Sequence, residues 1–274
     1  MLKSLRKIVF AALVVALAST SALACTVVAV GKNATVDGSA IITHNDDSRV
    51  ANSRLYIVPE ADWPEGSKRN VVKDAHGYDG DAQVIGQIPQ VPHTFRYFAS
   101  RYSFMNEKGV AISESTNSVE VTDDRSKKIK QIMGKDAVGM MDAWIIQDIM
   151  LERASTAREA VQIMGKLVEE HGWFDAGETM PLTDGNEVWI IEFYGNKIWA
   201  AWRMPDDHIF VGANRARLRN LDLTDAQNVM ACPDIVDYAV KNGFIAEKDV
   251  DKKNFSPADV YAPNTKLYST RREW

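Results

Sequence analysis

The sequence predicts an α+β protein with antiparallel sheets and helices kept apart along the chain. Three observations carry this. Short β-rich runs between turn residues fill the first part, two helical stretches follow between residues 138 and 170, and a β meander occupies residues 180–213. A doubly wound parallel sheet would instead alternate strand and helix from end to end.

The elements follow in order. Thr26 to Val30 (TVVAV) and Ser39 to Thr43 (SAIIT) flank the turn-rich Gly31 to Gly38 and read as a hairpin, closed by Asn45-Asp46-Asp47. Leu55 to Val58 is a strand stopped by Pro59. Pro59 to Pro92, rich in Gly, Asp, Pro and Lys, reads as a long surface loop able to shape a binding site. Phe95 to Met105 and Val110 to Ser113 are strands joined by the turn Asn106-Glu107-Lys108-Gly109, in which Glu107 is a turn residue. Met140, Met141, Trp144, Ile145, Ile149 and Leu151 form a stripe that predicts a helix over Val138 to Leu151, with the Met and Trp side chains in the core. Thr156-Ala157-Arg158-Glu159 is a capping box opening a helix to about Glu170, which His171-Gly172 ends. Met180 to Thr183, Val188 to Phe193, Ile198 to Trp202 and Ile209 to Ala213 are strands separated by Asp184-Gly185-Asn186, Gly195-Asn196 and Pro205-Asp206-Asp207. A helix from Ile235 to Val240 follows Pro233 and closes at Asn242-Gly243.

With 46% hydrophobic and 25% charged residues, the composition is that of a soluble globular protein. The start departs from it. Lys3, Arg6 and Lys7 precede an apolar run from Ile8 to Ala18, and Ala22-Leu23-Ala24 is a small-x-small cleavage site, so residues 1–24 are expected to be a signal peptide and the protein exported. The run is too short to span a bilayer, which needs about 20 residues. Bacterial lipoproteins also begin at Cys, but usually with Leu or Val three residues earlier, where Ala22 stands. The first 24 residues hold three basic residues and no acid. The remainder therefore has 29 Lys and Arg against 37 acids, a net charge of −8, which argues against nucleic acid or an anionic membrane as partner. Cys25 and Cys232 are the only cysteines, too few for a disulfide framework.

Cleavage after Ala24 places Cys25 first in the mature chain, with a thiol and an α-amine on one residue. The amine, with an ordinary pKa of about 7.7–8.0, can take the thiol proton near neutral pH. No phosphate-cradling glycine loop and no Gly-x-Ser-x-Gly elbow is present. His44, His76, His93, His171 and His208 include no close-spaced metal pair, so no cofactor is expected and no residue is assigned to a metal. His208 reads as structural or exposed. A Cys25–Cys232 disulfide is the competing use of the thiol.

Cys25 to Ser39, followed by Ile41-Ile42-Thr43-His44-Asn45-Asp46-Asp47-Ser48, resembles the start of secreted dipeptidases of the dipeptidase A type. These are N-terminal-nucleophile cysteine hydrolases, distantly related to bile salt hydrolase and penicillin V acylase. Met105 to Thr116 resembles a second shared block. Asp184 to Trp189, Arg203 to Asp207 and Val211 to Asn214 resemble a third. The resemblance implies a four-layer αββα sandwich and amide hydrolysis through a thioester acyl-enzyme. It makes Cys25 the nucleophile and its α-amine the base. Asp47 would orient the amine and thiol, Asn214 would sit near the oxyanion, and Arg271 or Arg272 would match a late active-site arginine. On residue type alone, Asn45 and Asp47 read as strand-end caps, Asn214 as a turn residue, and both arginines as surface.

Two positions depart from the family pattern. His44 stands where many relatives have Arg, and Thr116, with Asn117 next, stands where the bile-salt-hydrolase branch has an Asn. His44, Asn45, Thr116, Asn117, Arg271 and Arg272 are thus the substrate-binding or oxyanion candidates, and Cys25, Asp47 and Asn214 the catalytic ones. Relatives usually run longer, so residues 25–274 are expected to form a hydrolase domain that is incomplete at its C-terminal end. The expected function is an exported cysteine dipeptidase acting on small peptides, with no stable membrane anchor after cleavage. The alternatives are an acylase on a non-peptide amide and a non-catalytic secreted binding domain.

Overall fold

The structure, a computed structural model, describes residues 25–46, 54–73, 75, 82–134 and 139–263. The leader, Asp47, His76 and the arginine pair Arg271 and Arg272 lie outside the described residues. In chain order, the first part supplies β1 (Thr26–Val30), β2 (Ile41–Asn45), β3 (Tyr56–Val58), β4 (Ala61–Asp62), β5 (Lys68–Lys73), β6 (Gln83–Pro89), β7 (His93–Thr94), β8 (Tyr97–Ala99), β9 (Met105–Asn106), β10 (Ala111–Ile112) and β11 (Ser115–Asn117). Helices α1 (Asp124–Gly134), α2 (Ala143–Leu151) and α3 (Ala157–His171) follow. Then come β12 (Gly177–Thr183), β13 (Val188–Gly195), β14 (Ile198–Met204), β15 (Ile209–Gly212), β16 (Val229–Ala231), α4 (Asp237–Lys241) and α5 (Pro257–Tyr261).

Two sheets carry the fold. The small one runs β15-β1-β2, and the large one runs β16-β14-β13-β12-β10-β9-β8-β3, with β11 also paired to β12. Every pairing in both is antiparallel. All eight residues of β13 (VWIIEFYG) are buried, which requires cover on both faces of its sheet. Helix α3 packs on β12, β13 and β14, while β12 also meets β1 and β2 of the small sheet. The result is the antiparallel α+β sandwich class that the sequence implied, with the core between these layers. Trp173 stacks on Phe193 at 4.5 Å there, its indole N–H satisfied by the Ala176 carbonyl at 2.7 Å.

Helix α3 shows how local signals set an element. Thr156 accepts a hydrogen bond from the Glu159 N–H at 3.1 Å, and the Glu159 carboxylate reaches back to the Ser155 N–H at 2.7 Å. Ala157, Ala160, Val161, Met164, Gly165 and Val168 then make its buried stripe.

Three expectations need correction. Helix α2 starts at Ala143 and leaves out residues 139–142 of the expected stretch, because Asp142 takes extended backbone and its carboxylate caps the Ile145 N–H at 2.7 Å; Val138 lies outside the described residues. Helix α1 was not expected; its lysine-rich sequence hides the apolar positions, of which Ile129 and Met133 are buried. Finally, much of Pro59 to Pro92 is strand. β5 and β6 form a hairpin that buries Val71 and Ile88, and Arg69 pins it to Glu152 at the end of α2 at 2.8 Å. That ion pair joins segments far apart in sequence, so no local pattern announces it.

Gly165 faces the buried ring of Trp199, whose N–H is held by Glu169 at 3.0 Å. A Cβ at this position would lie 2.2 Å from Trp199 Cζ2. By helix propensity alone, Ala is better than Gly by about 1 kcal/mol. Overpacking against an anchored ring outweighs that, so Gly165→Ala is expected to lose about 1–3 kcal/mol of stability. A denaturant midpoint equal to or above the parent's would refute this.

Candidate active site

Cys25 begins the small sheet, and the strand register decides what it meets. Val27 lies opposite His44 and Thr26 opposite Asn45, so continuing by one residue sets Cys25 opposite Asp46. With the period of two, Cys25, Val27, His44 and Asp46 share the face turned to the large sheet, and Asn45 points out to solvent. On the large sheet, Ser115 pairs with Thr179 and Thr116 with Glu178, so Glu114, Thr116 and Glu178 share one face. The two faces meet in a polar cluster. Cys25 Sγ lies 3.5 Å from Glu114 Oε1 and 3.9 Å from Asp46 Oδ1, and His44 Nε2 lies 3.1 Å from the same Glu114 oxygen.

Glu114 and Glu178 are both fully buried. Burial alone pushes both carboxyls up. In Glu114 the bond and charge of His44 outweigh it and hold the group below the ordinary carboxylate range. Glu178 is pushed well above that range, by burial first and then by the charge of Glu114. Glu114 is therefore the carboxylate of the pair, and Glu178 carries the proton. Thr116 Oγ1 donates to Glu114 Oε2 at 3.4 Å. With residue 24 still attached, the Cys25 thiol is pushed far up, by burial first and then by the charges of Glu114 and Asp46. It is held as a neutral thiol.

An aromatic and cationic wall borders the cluster. The Tyr102 ring meets the His44 ring edge-on at 5.4 Å. The Arg101 guanidinium lies over the Tyr102 and Trp144 rings at 5.4 and 5.3 Å, and it reaches Asp46 at 3.8 Å.

Asn214 follows β15 with φ +56°, a left-handed conformation that Asn tolerates better than most residues. Its N–H is held by Ser115 Oγ at 2.8 Å, and its side-chain amide donates to the Thr116 carbonyl at 2.6 Å, tying it to β11 behind Glu114. The backbone after it is fixed by Glu192, a fully buried carboxylate accepting from Tyr194 Oη, Thr179 Oγ1 and the N–H groups of Arg217 and Leu218. Asn117 sits on the opposite face of β11 from Thr116, and its amide donates to Thr179 at 3.2 Å. An apolar cavity of about 430 Å³, lined among others by Asn117, Met133, Tyr194 and Tyr261, does not include Cys25.

The structure thus brings Cys25, His44 and Thr116 together and links Asn214 to them through β11. Glu114, Glu178, Asp46, Arg101 and Tyr102 were missed by sequence reasoning. The strand-face period of Asn45-Asp46-Asp47 was the one available signal for Asp46. Both cysteines are free thiols, so the Cys25–Cys232 disulfide is not formed; each is buried in a different place.

A thiol at the head of a strand, beside a carboxylate–imidazole pair, is an arrangement able to support nucleophilic chemistry. Comparison with known proteins narrows the class. The family model for peptidase family C69 matches residues 24–274, and the chain belongs to that family. Among curated relatives, a probable dipeptidase of Salmonella dublin is 25% identical over 92% of this chain and 57% of its own length. A dipeptidase of Bifidobacterium longum is 26% identical over 92% and 50%. A probable dipeptidase of Latilactobacillus sakei is 28% identical over 80% and 45%. The chain spans about half the length of these relatives. A solved penicillin V acylase from Agrobacterium tumefaciens gives a TM-score of 0.35 at 14% identity, covering 69% of this chain and 49% of that one, too loose a superposition to carry a residue correspondence.

The charges around the thiol give a signed expectation. Glu114→Gln removes the first-named charge that raises Cys25, so the pH profile of Cys25 alkylation by iodoacetamide moves to lower pH. An unmoved profile would show that Glu114 does not act on the thiol.

Proposed function

We propose that this chain is the nucleophile-bearing part of an exported cysteine dipeptidase. The observation that carries the reading is the position of Cys25 at the head of β1, 3.5 Å from a carboxylate paired with His44, where the sequence leads one to expect the mature chain to begin. The names of the curated relatives supply the substrate class. In this reading, cleavage after Ala24 frees the α-amine of Cys25. The amine takes the thiol proton, and Sγ attacks the peptide carbonyl to form a tetrahedral oxyanion. Collapse passes the proton to the leaving amine and leaves a thioester on Cys25, which water then hydrolyses with the same amine as base.

The surroundings fit these steps. Before cleavage the thiol is held neutral by burial and by the carboxylates of Glu114 and Asp46, so the uncut chain is a weak nucleophile. Cleavage places a titrating amine within the same residue and gives the proton a destination. In this reading Thr116 and Asn214 remain the oxyanion candidates, and Asp46, 3.9 Å from Cys25 Sγ, adds a carboxylate beside the amine. Asp47, Arg271 and Arg272 keep the amine-orienting and substrate-binding roles given to them above.

The test uses the secreted mature protein. N-terminal sequencing is expected to read Cys25 first, and thiol titration two free thiols after unfolding. Dipeptide hydrolysis is expected to fall at least a thousandfold in Cys25→Ala, with unchanged circular dichroism. Retained turnover in that variant would remove Cys25 from the mechanism. A blocked terminus would replace cleavage with lipidation. Turnover of acylated lactones or conjugated bile acids, without dipeptides, would favour the acylase alternative.

A further inference from the structure

We propose that Cys25 Sγ, His44 Nε2 and Glu114 Oε1 form a binding site for a zinc-class divalent cation. The proposal rests on the reading of Cys25 as nucleophile only for its consequence, which is that an occupied site cannot attack a peptide bond. The three donor atoms lie within 4.8 Å of one another. Two of the separations are already those of a coordination shell. With zinc–sulfur near 2.3 Å and zinc–nitrogen or –oxygen near 2.0–2.1 Å, a tetrahedron has a sulfur–oxygen edge of about 3.5 Å and a nitrogen–oxygen edge of about 3.3 Å. The observed values are 3.5 Å for Cys25 to Glu114 and 3.1 Å for His44 to Glu114.

The donor set selects the ion. Thiolate with imidazole suits zinc and its neighbours, whereas calcium and magnesium ask for oxygen alone. His44 Nε2 is buried and faces Glu114 Oε1 at 3.1 Å, so a cation seated between them replaces the attraction the pair already has. The surroundings also hold the donors in place. Thr116 occupies the other oxygen of Glu114 at 3.4 Å, and Tyr102 braces the imidazole edge-on at 5.4 Å. Asp46 adds a carboxylate 3.9 Å from the thiol, with the Arg101 guanidinium 3.8 Å from that carboxylate. Binding exchanges the Sγ proton for the metal and releases it to solvent. On a chain cut after Ala24, the α-amine of Cys25 closes a small chelate ring with Sγ as a fourth donor; on an uncut chain that position goes to water.

Cobalt(II) is the probe, titrated into the purified full chain and into the mature protein, with zinc competing. One equivalent is expected to give a sulfur-to-cobalt charge-transfer band with the intense visible bands of four-coordinate cobalt. Cys25→Ser is expected to abolish the charge-transfer band. His44→Ala and, separately, the near-isosteric His44→Gln and Glu114→Gln are expected to weaken zinc at least tenfold. Cys232→Ser is expected to change nothing. Absence of the band in a protein that hydrolyses dipeptides overturns the metal site and leaves the function standing. A band that survives Cys25→Ser, or affinity unmoved in all of the His44 and Glu114 variants, also overturns it. A Cys25-dependent band in a protein with no dipeptidase activity supports the site while the proposed function fails.

Discussion

Two sheets can be packed face to face on apolar side chains alone, and over most of this interface they are. At one end, β1 and β2 instead present a thiol, an imidazole and a carboxylate to two glutamates of the large sheet. Glu114, carrying the charge opposite His44, is the contact on which this arrangement depends. An isolated buried carboxylate is costly, and removing one partner of a buried ion pair typically loses about 3–5 kcal/mol. Here that cost is limited by His44, by Thr116, and by a proton on Glu178 that leaves one negative charge where two would repel. The sheets are therefore joined by a titratable seam, and the thiol sits on it.

A second polar cluster supports the first. Glu192 lies mid-strand in β13, where every neighbour is buried, and it spends its acceptor capacity on the loop after β15 and on Thr179 and Tyr194. That loop carries Asn214, which in turn holds the Thr116 carbonyl. Two buried carboxylates, one on each face of the large sheet, thus position β11 from both sides. Wholly satisfied polar groups of this kind specify a geometry more sharply than apolar packing does.

Local chemistry was legible in the sequence. The hairpin from Thr26, the capping box at Thr156 and the turns of the meander all depend on neighbours within a few residues. The polar seam was not, because its partners meet from segments far apart in the chain. Glu114, Ser115 and Asn117 are all buried, with partners that only the tertiary fold supplies. Helix α1 escaped for the opposite reason. Its lysines dominate its composition, while the residues that dock it are few.

The seam has a bearing on how long the thiol lasts. Peroxides and disulfides react with a cysteine through its thiolate, and the first oxidation product opens a ladder whose upper rungs do not reverse. Cys25 is both shielded by burial and kept protonated by its acidic neighbours. Carboxyl groups that disfavour the thiolate are well suited to preserving the thiol, so the arrangement protects the sulfur's reducing capacity.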